Sequence, residues 1–184
     1  MRYIQIALMT DKPMPPMRAA ILPVPPLQQN CSLIWCTKTM KAALTDPGGD
    51  LDKLKAGVEK AGVTLEKILI THGHLDHCGQ AGMLADELGL PIEGPHKDDI
   101  FWIEQLDNDG ARYGMTAKSF TPTRWLEHGD TVTVGELTLD SIARATRRAT
   151  WSSCINPAAL PLLAMCCSRA RLGGRTFRAA IIRI

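Results

Sequence analysis

The sequence predicts an α/β fold, and three observations lead to that class. Short apolar segments alternate with segments whose apolar residues recur at helical spacing, as expected for strands alternating with helices. Two of the helical segments end at a glycine, the residue that commonly closes a helix. A cluster of polar residues directly follows one apolar segment, and α/β proteins place functional sites at the ends of buried strands.

The elements before the cluster follow from local sequence signals. Proline-rich sequence near the start leaves room only for a short edge strand at 19–24. The segment "NCSLIWC" predicts a buried strand that ends before the turn-rich "TDPGGD". Asp50 is placed to cap a helix that begins at Leu51 and ends at Gly62. The run "LEKILI" then predicts a buried strand that leads straight into the cluster.

The elements after the cluster continue the alternation. Residues 79–88 predict a helix closed by Gly89, and the extended segment "LPIEGP" follows it. Residues 97–106 predict another helix. The alternating "TVTVGELTL" predicts a hairpin that turns at Gly135–Glu136.

Composition indicates one globular domain of ordinary size. The chain has 184 residues, of which 45% are hydrophobic and 22% charged. No apolar run is long enough to span a bilayer, and Asp11 with the early prolines argues against a signal peptide. We therefore expect a cytoplasmic protein with no membrane partner. The six cysteines lack the spacing of a disulfide framework, so reduced thiols are expected.

The charge distribution changes abruptly after Asp140. Residues 1–140 contain thirteen basic and nineteen acidic residues, a net charge of −6. Residues 141–184 contain eight arginines and no acidic residue or lysine. Such a break requires an explanation.

The cluster "THGHLDH" holds three of the five histidines within six residues. Imidazole and carboxylate are ligands that Zn²⁺, Fe and Mn accept. His72 and His74 point the same way in an extended segment, so both can reach one metal, while Asp76 and His77 can reach a second. Two such metals could share an activated hydroxide. Gly73 is expected to let the backbone turn tightly between two ligands. The alternative interpretation is a polar loop that caps the following helix.

The segment T-H-G-H-L-D-H resembles the signature of the metallo-β-lactamase superfamily. Its flanks, "QNCSLIWC", "DPGGD" and "GPHKDD", resemble the small single-domain, glyoxalase II-like hydrolases, over about residues 17–140. The resemblance implies an αββα sandwich, of which this chain carries the N-terminal half.

The resemblance also implies roles for individual residues. His72 and His74 would hold one Zn²⁺ and Asp76 and His77 a second, with Fe or Mn as alternatives. Asp76 would also act in catalysis by orienting the nucleophile, and Asp46 would steady the ligand loop. The implied reaction is hydrolysis of a thioester such as an acylglutathione by metal-activated hydroxide, so the expected partner is a small-molecule thioester.

The second half of the superfamily's ligand set is missing. The superfamily supplies a histidine in P-G-H-T-P-G-H, an aspartate in G-D-x-L-F and a late histidine in G-H-G, and none occurs here. When the codons from Ser141 are read one nucleotide earlier, "SIARATRRATW" permits L-H-C-P-G-H-T-P-G-H-V. In the same frame "LAMCCSRARLGGRTFRAAI" permits G-D-V-L-F-A-G-S-I-G-R-T-D-F-P-R-G-N-H. We therefore predict a reading-frame slip close to Asp140–Ser141.

Three segments are predicted on this basis. Residues 1–16 are an upstream extension before a start at Met17, residues 17–140 are the N-terminal half of the domain, and residues 141–184 are an out-of-frame, arginine-rich tail. The C-terminal half of the fold is expected to be lost or disordered. Because only two protein ligands per metal remain, we expect weak or no metal binding and a defective, poorly stable chain.

Other functions stay open from sequence alone. The same metal loop serves lactonases, phosphodiesterases and sulfur dioxygenases, and the chain could also be a non-catalytic fragment. An arginine-rich nucleic-acid binder has no supporting motif or aromatic interleaving, so no nucleic-acid partner is expected. The sequence does not decide the substrate, the metal or the oligomeric state.

Overall fold

A five-stranded sheet lies at the centre of the computed structural model, which describes residues 16–141. The predictions for residues 1–15 and for the tail from 142 onward lie outside this part of the chain. The strands stand in sequence order, the first three antiparallel and the last three parallel to one another. They are β1 (Met17–Val24), β2 (Gln29–Cys36), β3 (Lys41–Thr45), β4 (Thr64–Leu69) and β5 (Ile92–Glu93).

A second, two-stranded sheet is the predicted hairpin. It consists of β6 (Thr131–Val134) and β7 (Leu137–Asp140), which pair antiparallel with Val134 opposite Leu137. Gly135 opens the turn with a φ of 57°, a backbone conformation that glycine adopts without steric cost. The position predicted for this turn is confirmed.

The helices are short and occupy the connections between strands. They are α1 (Leu51–Ala61), α2 (Leu75–Cys78), α3 (Ala81–Leu88), a 3₁₀ turn (Lys97–Asp99), α4 (Ile100–Glu104) and α5 (Leu106–Tyr113). The predicted caps of α1 are confirmed: the Asp50 side chain accepts from Lys53 N, and Gly62 closes the helix in the left-handed conformation. Gly89 closes α3 in the same way.

The five-stranded sheet buries both of its faces. Alternate residues of β2 and β3 point to opposite sides, so Leu33 and Leu44 join the helices in one apolar cluster. Ile34 and Ala43 join the hairpin in a second cluster, together with Val134 and other hairpin residues. The layers are therefore helices, sheet and hairpin, which confirms the α/β class.

Two predicted elements differ from the structure, and one strand was not predicted. The helix expected at 79–88 begins only at Ala81, as α3, and the separate short helix α2 ends at Cys78, before the predicted range. The helix expected at 97–106 is instead a 3₁₀ turn followed by α4 and α5. Strand β3, "KAALT", was missed because it lacks β-branched alternation and draws its order from β2 and β4 on either side.

No helix within residues 16–141 combines the length and the apolar character that crossing a bilayer requires.

Candidate metal centre

The ends of β3 and β4 bring distant parts of the sequence together. The two strands are parallel, with Thr45 level with Leu69. Both chains therefore leave the sheet at the same edge, and Asp46 N donates to Leu69 O over 2.9 Å. This edge carries Asp46 from β3 and the histidine cluster from β4, as expected for a site at the carboxyl ends of parallel strands.

Asp46 is the centre of the hydrogen bonds that hold the cluster. It is buried and adopts a φ of 57°, a left-handed conformation that aspartate tolerates better than most residues. Its carboxylate accepts from Thr71 N at 2.7 Å, from Thr71 Oγ1 at 2.6 Å and from His77 Nδ1 at 3.0 Å. The role of Asp46 in steadying metal ligands stays a prediction.

These contacts fix which ring nitrogens carry hydrogen. An ionised carboxylate only accepts, so we assign the hydrogen of His77 to Nδ1. The hydroxyl of Thr71 donates its single hydrogen to Asp46. Its oxygen therefore accepts from His72 Nδ1, which lies 3.0 Å away. In the neutral form of either ring, Nε2 is then left without hydrogen. A metal-binding imidazole typically has this arrangement, with its other nitrogen donating to an oxygen.

The three imidazoles of the cluster lie against one another. The His72 and His77 ring centres are 3.9 Å apart, and those of His72 and His74 are 4.7 Å apart. Asp76 stands at the rim, about one third exposed, with Oδ2 3.6 Å from His77 Nε2. The structure thus brings together all four side chains predicted as ligands. Their division between two metals stays a prediction.

Burial and crowding control protonation in the cluster. Burial lowers the pKa of His72 well below its ordinary value, and the charges of His77 and His74 lower it further. The pKa of His74 is lowered mainly by burial. Burial also opposes the charged form of His77, but the charge and hydrogen bond of Asp46 outweigh it and raise the pKa. His72 and His74 are therefore held neutral, the form that binds metal.

The residues present fit a metal ion in chemistry, but not as a finished coordination shell. Neutral imidazoles with free Nε2 atoms, beside a carboxylate, are suitable donors for Zn²⁺ or Fe. Within residues 16–141, however, no three His, Cys, Asp or Glu side chains already stand where they could hold one ion. The cluster is a partial ligand set, and its side chains would have to reorient around a metal.

Two glycines are required here by close approach of neighbouring chain. A Cβ added to Gly48 would lie 1.7 Å from Asp76 O, because the loop after β3 packs directly against the segment that contains Asp76. A Cβ on Gly73 would meet Asp99 O and the Trp102 Cβ, each at 3.0 Å. Gly73 is not among the positive-φ residues, so the backbone conformation that favours glycine, on which the predicted turn relied, is not observed. The start of α4 leaves no room for a side chain at position 73.

Sequence reasoning missed three residues that touch the cluster. The amide nitrogen of Gln29 lies 3.0 Å from His77 Nδ1, Asp99 Oδ2 accepts from Gly73 N at 3.0 Å, and the Trp102 ring meets His74 edge-on at 5.1 Å. Asp99 and Gln29 carried a signal, because Asp99 ends the quoted motif "GPHKDD" and Gln29 begins the quoted motif "QNCSLIWC". Trp102 reaches the site only through folding.

Fold and site together define an α/β protein with a histidine-rich loop at the end of a parallel strand. The family model for the metallo-beta-lactamase superfamily matches residues 24–144, and the chain belongs to that superfamily. This confirms the family resemblance and the predicted αββα type of fold.

Among relatives, the hydroxyacylglutathione hydrolase GloC of Haemophilus influenzae is 41% identical over 110 residues, covering 59% of this chain and 51% of its own. The probable metallo-hydrolase YqgX of Bacillus subtilis is 24% identical over 123 residues, covering 66% of this chain and 57% of its own. The chain spans about half the length of the curated relatives it matches.

Solved structures show the same fold. TTHA1623 in a di-iron-bound form superposes with a TM-score of 0.63 at 26% identity, covering 75% of this chain and 66% of that one. The B3 metallo-beta-lactamase BLEG-1 superposes with a TM-score of 0.64 at 22% identity, covering 76% and 67%.

Proposed function

We propose that this chain derives from a metal-dependent hydrolase that cleaves a small thioester of the hydroxyacylglutathione type. The observation that carries the proposal is the imidazole cluster, in which hydrogen bonds that lead back to Asp46 engage the Nδ1 atoms of His72 and His77. The 41% identity to a hydroxyacylglutathione hydrolase supports the thioester as substrate class. A thioester is consumed with one water and yields an acid and a thiol.

His72, His74, Asp76 and His77 are the proposed metal-holding residues. A bound metal would lower the pKa of a coordinated water and polarise the thioester carbonyl. Asp76, at the exposed rim, is proposed to orient the attacking water. Asp46 is proposed to fix the His77 ring through the contact with its Nδ1. Zn²⁺ is proposed as the metal, and the di-iron form of TTHA1623 supports iron as an alternative.

We further propose that the printed chain is defective because its reading frame slips near Asp140–Ser141. The family match ends at residue 144, and the forty residues after it carry the arginine-rich, acid-free composition of an out-of-frame segment. The codons of that segment, read one nucleotide earlier, permit the superfamily motifs. A slip would also explain why the ligand set is partial.

A non-catalytic fragment is the second candidate. It is favoured by the lack of an assembled group of three metal-binding side chains within residues 16–141. Such a fragment would bind one metal loosely or none.

The experiment compares the printed chain with a version whose frame is restored by one nucleotide after the codon for Asp140. Both are purified with Zn²⁺ or Fe²⁺ present, and hydrolysis of S-lactoylglutathione is followed by loss of thioester absorbance. We expect activity only in the restored chain, and its loss in a restored chain carrying His74→Ala. His128→Ala, which alters an exposed histidine outside the cluster, should leave the activity unchanged. Equal activity of printed and restored chains would contradict the frame slip, and an inactive restored chain would contradict the thioester substrate.

A further inference from the structure

The start of α4 lies directly against the backbone between the two histidines of the H-x-H segment. Asp99 Oδ2 accepts from Gly73 N over 3.0 Å, and the space that a Gly73 Cβ would need is filled by Asp99 O and by the Trp102 Cβ. The Trp102 ring continues the contact to the His74 ring at 5.1 Å. The start of α4 therefore contacts both the Gly73 peptide and the His74 ring from the same side.

Asp99 does not serve the helix that it begins. It occupies the N-cap position of α4, where an aspartate ordinarily accepts from an amide in the first turn, yet its side chain makes no such bond. The carboxyl instead points toward the loop that contains His72 and His74. Asp99 as a whole residue is 1% exposed. Helix capping thus leaves the orientation of this side chain unexplained.

Keeping a carboxyl in this place is unfavourable in itself. Burial raises the pKa of Asp99 to about 6, although the hydrogen bond from the Gly73 amide works in the opposite direction. A neutral side chain of similar shape would avoid that cost. The geometry, with one buried acceptor aimed at one loop amide, indicates a positioning role.

We propose that Asp99 is a positioning residue that fixes the Gly73 peptide, and thereby the relative placement of His72 and His74, with Trp102 closing the same contact from the next turn. The proposal rests on the proposed function only in taking His72 and His74 as metal ligands. Neither Asp99 nor Trp102 would touch the metal or the substrate. Their effect is on how much the two imidazoles must reorganise when a metal binds.

The test measures metal binding by the full printed chain, with Co²⁺ alone as the probe. Asp99→Ala should lower the apparent Co²⁺ affinity about 10-fold or more and change the visible absorption of the bound ion, because a supporting contact of the ligands is lost. Asp99→Asn keeps an acceptor oxygen and should restore the affinity to near that of the unaltered chain. Asp98→Ala is the matched control, since Asp98 is adjacent but mostly exposed.

Several results would overturn the proposal. They are unchanged Co²⁺ affinity in Asp99→Ala, no rescue by Asp99→Asn, an equal loss in Asp98→Ala, and no Co²⁺ binding by the unaltered chain at millimolar concentration. Should Asp99→Ala not fold, ¹⁵N-labelled unaltered chain gives a second measurement. Its Gly73 amide should be protected from hydrogen exchange, and exchange at the rate of a free loop amide would show that the contact is absent. A frame-restored chain that hydrolyses no thioester would overturn the proposed function and leave this titration unaffected.

Discussion

At the scale of single residues, Asp46 accepts the hydrogen bonds that hold the histidine cluster in place. It belongs to the loop after β3, yet it accepts hydrogen bonds from the loop after β4 and from α2. Its left-handed backbone conformation is uncommon for a residue other than glycine, and such conformations persist where the surroundings fix them. The histidine cluster is therefore built on a carboxylate that lies 25 positions before Thr71 in the sequence.

Replacing Asp46 by alanine should destabilise the chain severely. The change leaves the Thr71 amide and His77 Nδ1 buried without acceptors, at a cost of roughly 2–4 kcal/mol in the free energy of unfolding. Urea unfolding followed by circular dichroism measures the loss. Asp52→Ala, at a carboxylate that is 96% exposed, serves as the control and should change the stability by less than about 0.5 kcal/mol. A loss of similar size in both variants would contradict the role given to Asp46.

At the scale of elements, the hairpin β6–β7 covers the sheet face that the helices leave free. Leu139 and Val134 are fully buried against Ile34, Ala43 and other residues of that face. The hairpin turn also meets the β2–β3 turn, where a Gly135 Cβ would lie 2.1 Å from Thr39 Oγ1. The hairpin thus packs as part of the core, and its contribution to stability can be tested by a substitution in β7.

Leu139→Ala should show how much the hairpin contributes to stability. Removing a fully buried leucine side chain should lower the free energy of unfolding by about 2–4 kcal/mol. Thr138→Ala is the matched control, because Thr138 is the neighbour on the exposed face of β7. Chemical denaturation of both variants gives the comparison. If Leu139→Ala were as mild as Thr138→Ala, the hairpin would not be packed on the sheet in solution.

Cys36, at the end of β2, should make stability depend on pH. Burial opposes the thiolate, but the Thr39 hydroxyl and the amides of Glu136, Thr39 and Lys38 outweigh it and lower the pKa to about 7. Between this value and the pKa of about 9 in the unfolded chain, the unfolded state holds more protons. The contribution of Cys36 to stability should therefore rise as the pH increases from 7 to 9.

The measurement is the urea midpoint of the unaltered chain and of Cys36→Ala at pH 6.5 and pH 8.5. The rise with pH should be smaller in Cys36→Ala. Cys31→Ala is the control, because burial raises the pKa of the Cys31 thiol and that group does not ionise in this range. An identical rise in the unaltered chain and in Cys36→Ala would show that Cys36 does not ionise near neutral pH.

At the scale of the whole molecule, the net charge of the sequence changes sign near Asp140, where we propose that the reading frame slips. The first 140 residues, with a net charge of −6, contain all the described elements. The remaining residues, with a net charge of +8, follow the end of the last strand. If the frame slips there, the superfamily's other metal ligands would belong to the intended reading of this second segment.

Metal content per chain should follow the reading frame. The printed chain, with a partial ligand set, should lose Zn²⁺ on gel filtration and retain close to none. The frame-restored chain should retain close to two ions per chain, as the resemblance implies. Elemental analysis of both after the same filtration decides the matter. A tightly held pair of metals in the printed chain would contradict both the weak binding and the missing ligands.

The sequence by itself determined the α/β class, the family and the four side chains of the ligand loop, because these depend on local periodicity and on spacing within six residues. It also located the caps of α1 and the hairpin turn, which depend on single residues such as Asp50 and Gly135. Only the tertiary structure decided that Asp46 holds His77, that Gln29, Asp99 and Trp102 touch the cluster, and that Gly73 is small because a helix lies against it. These contacts join residues far apart in the chain, and neither periodicity nor composition encodes which strand ends meet at one edge of a sheet.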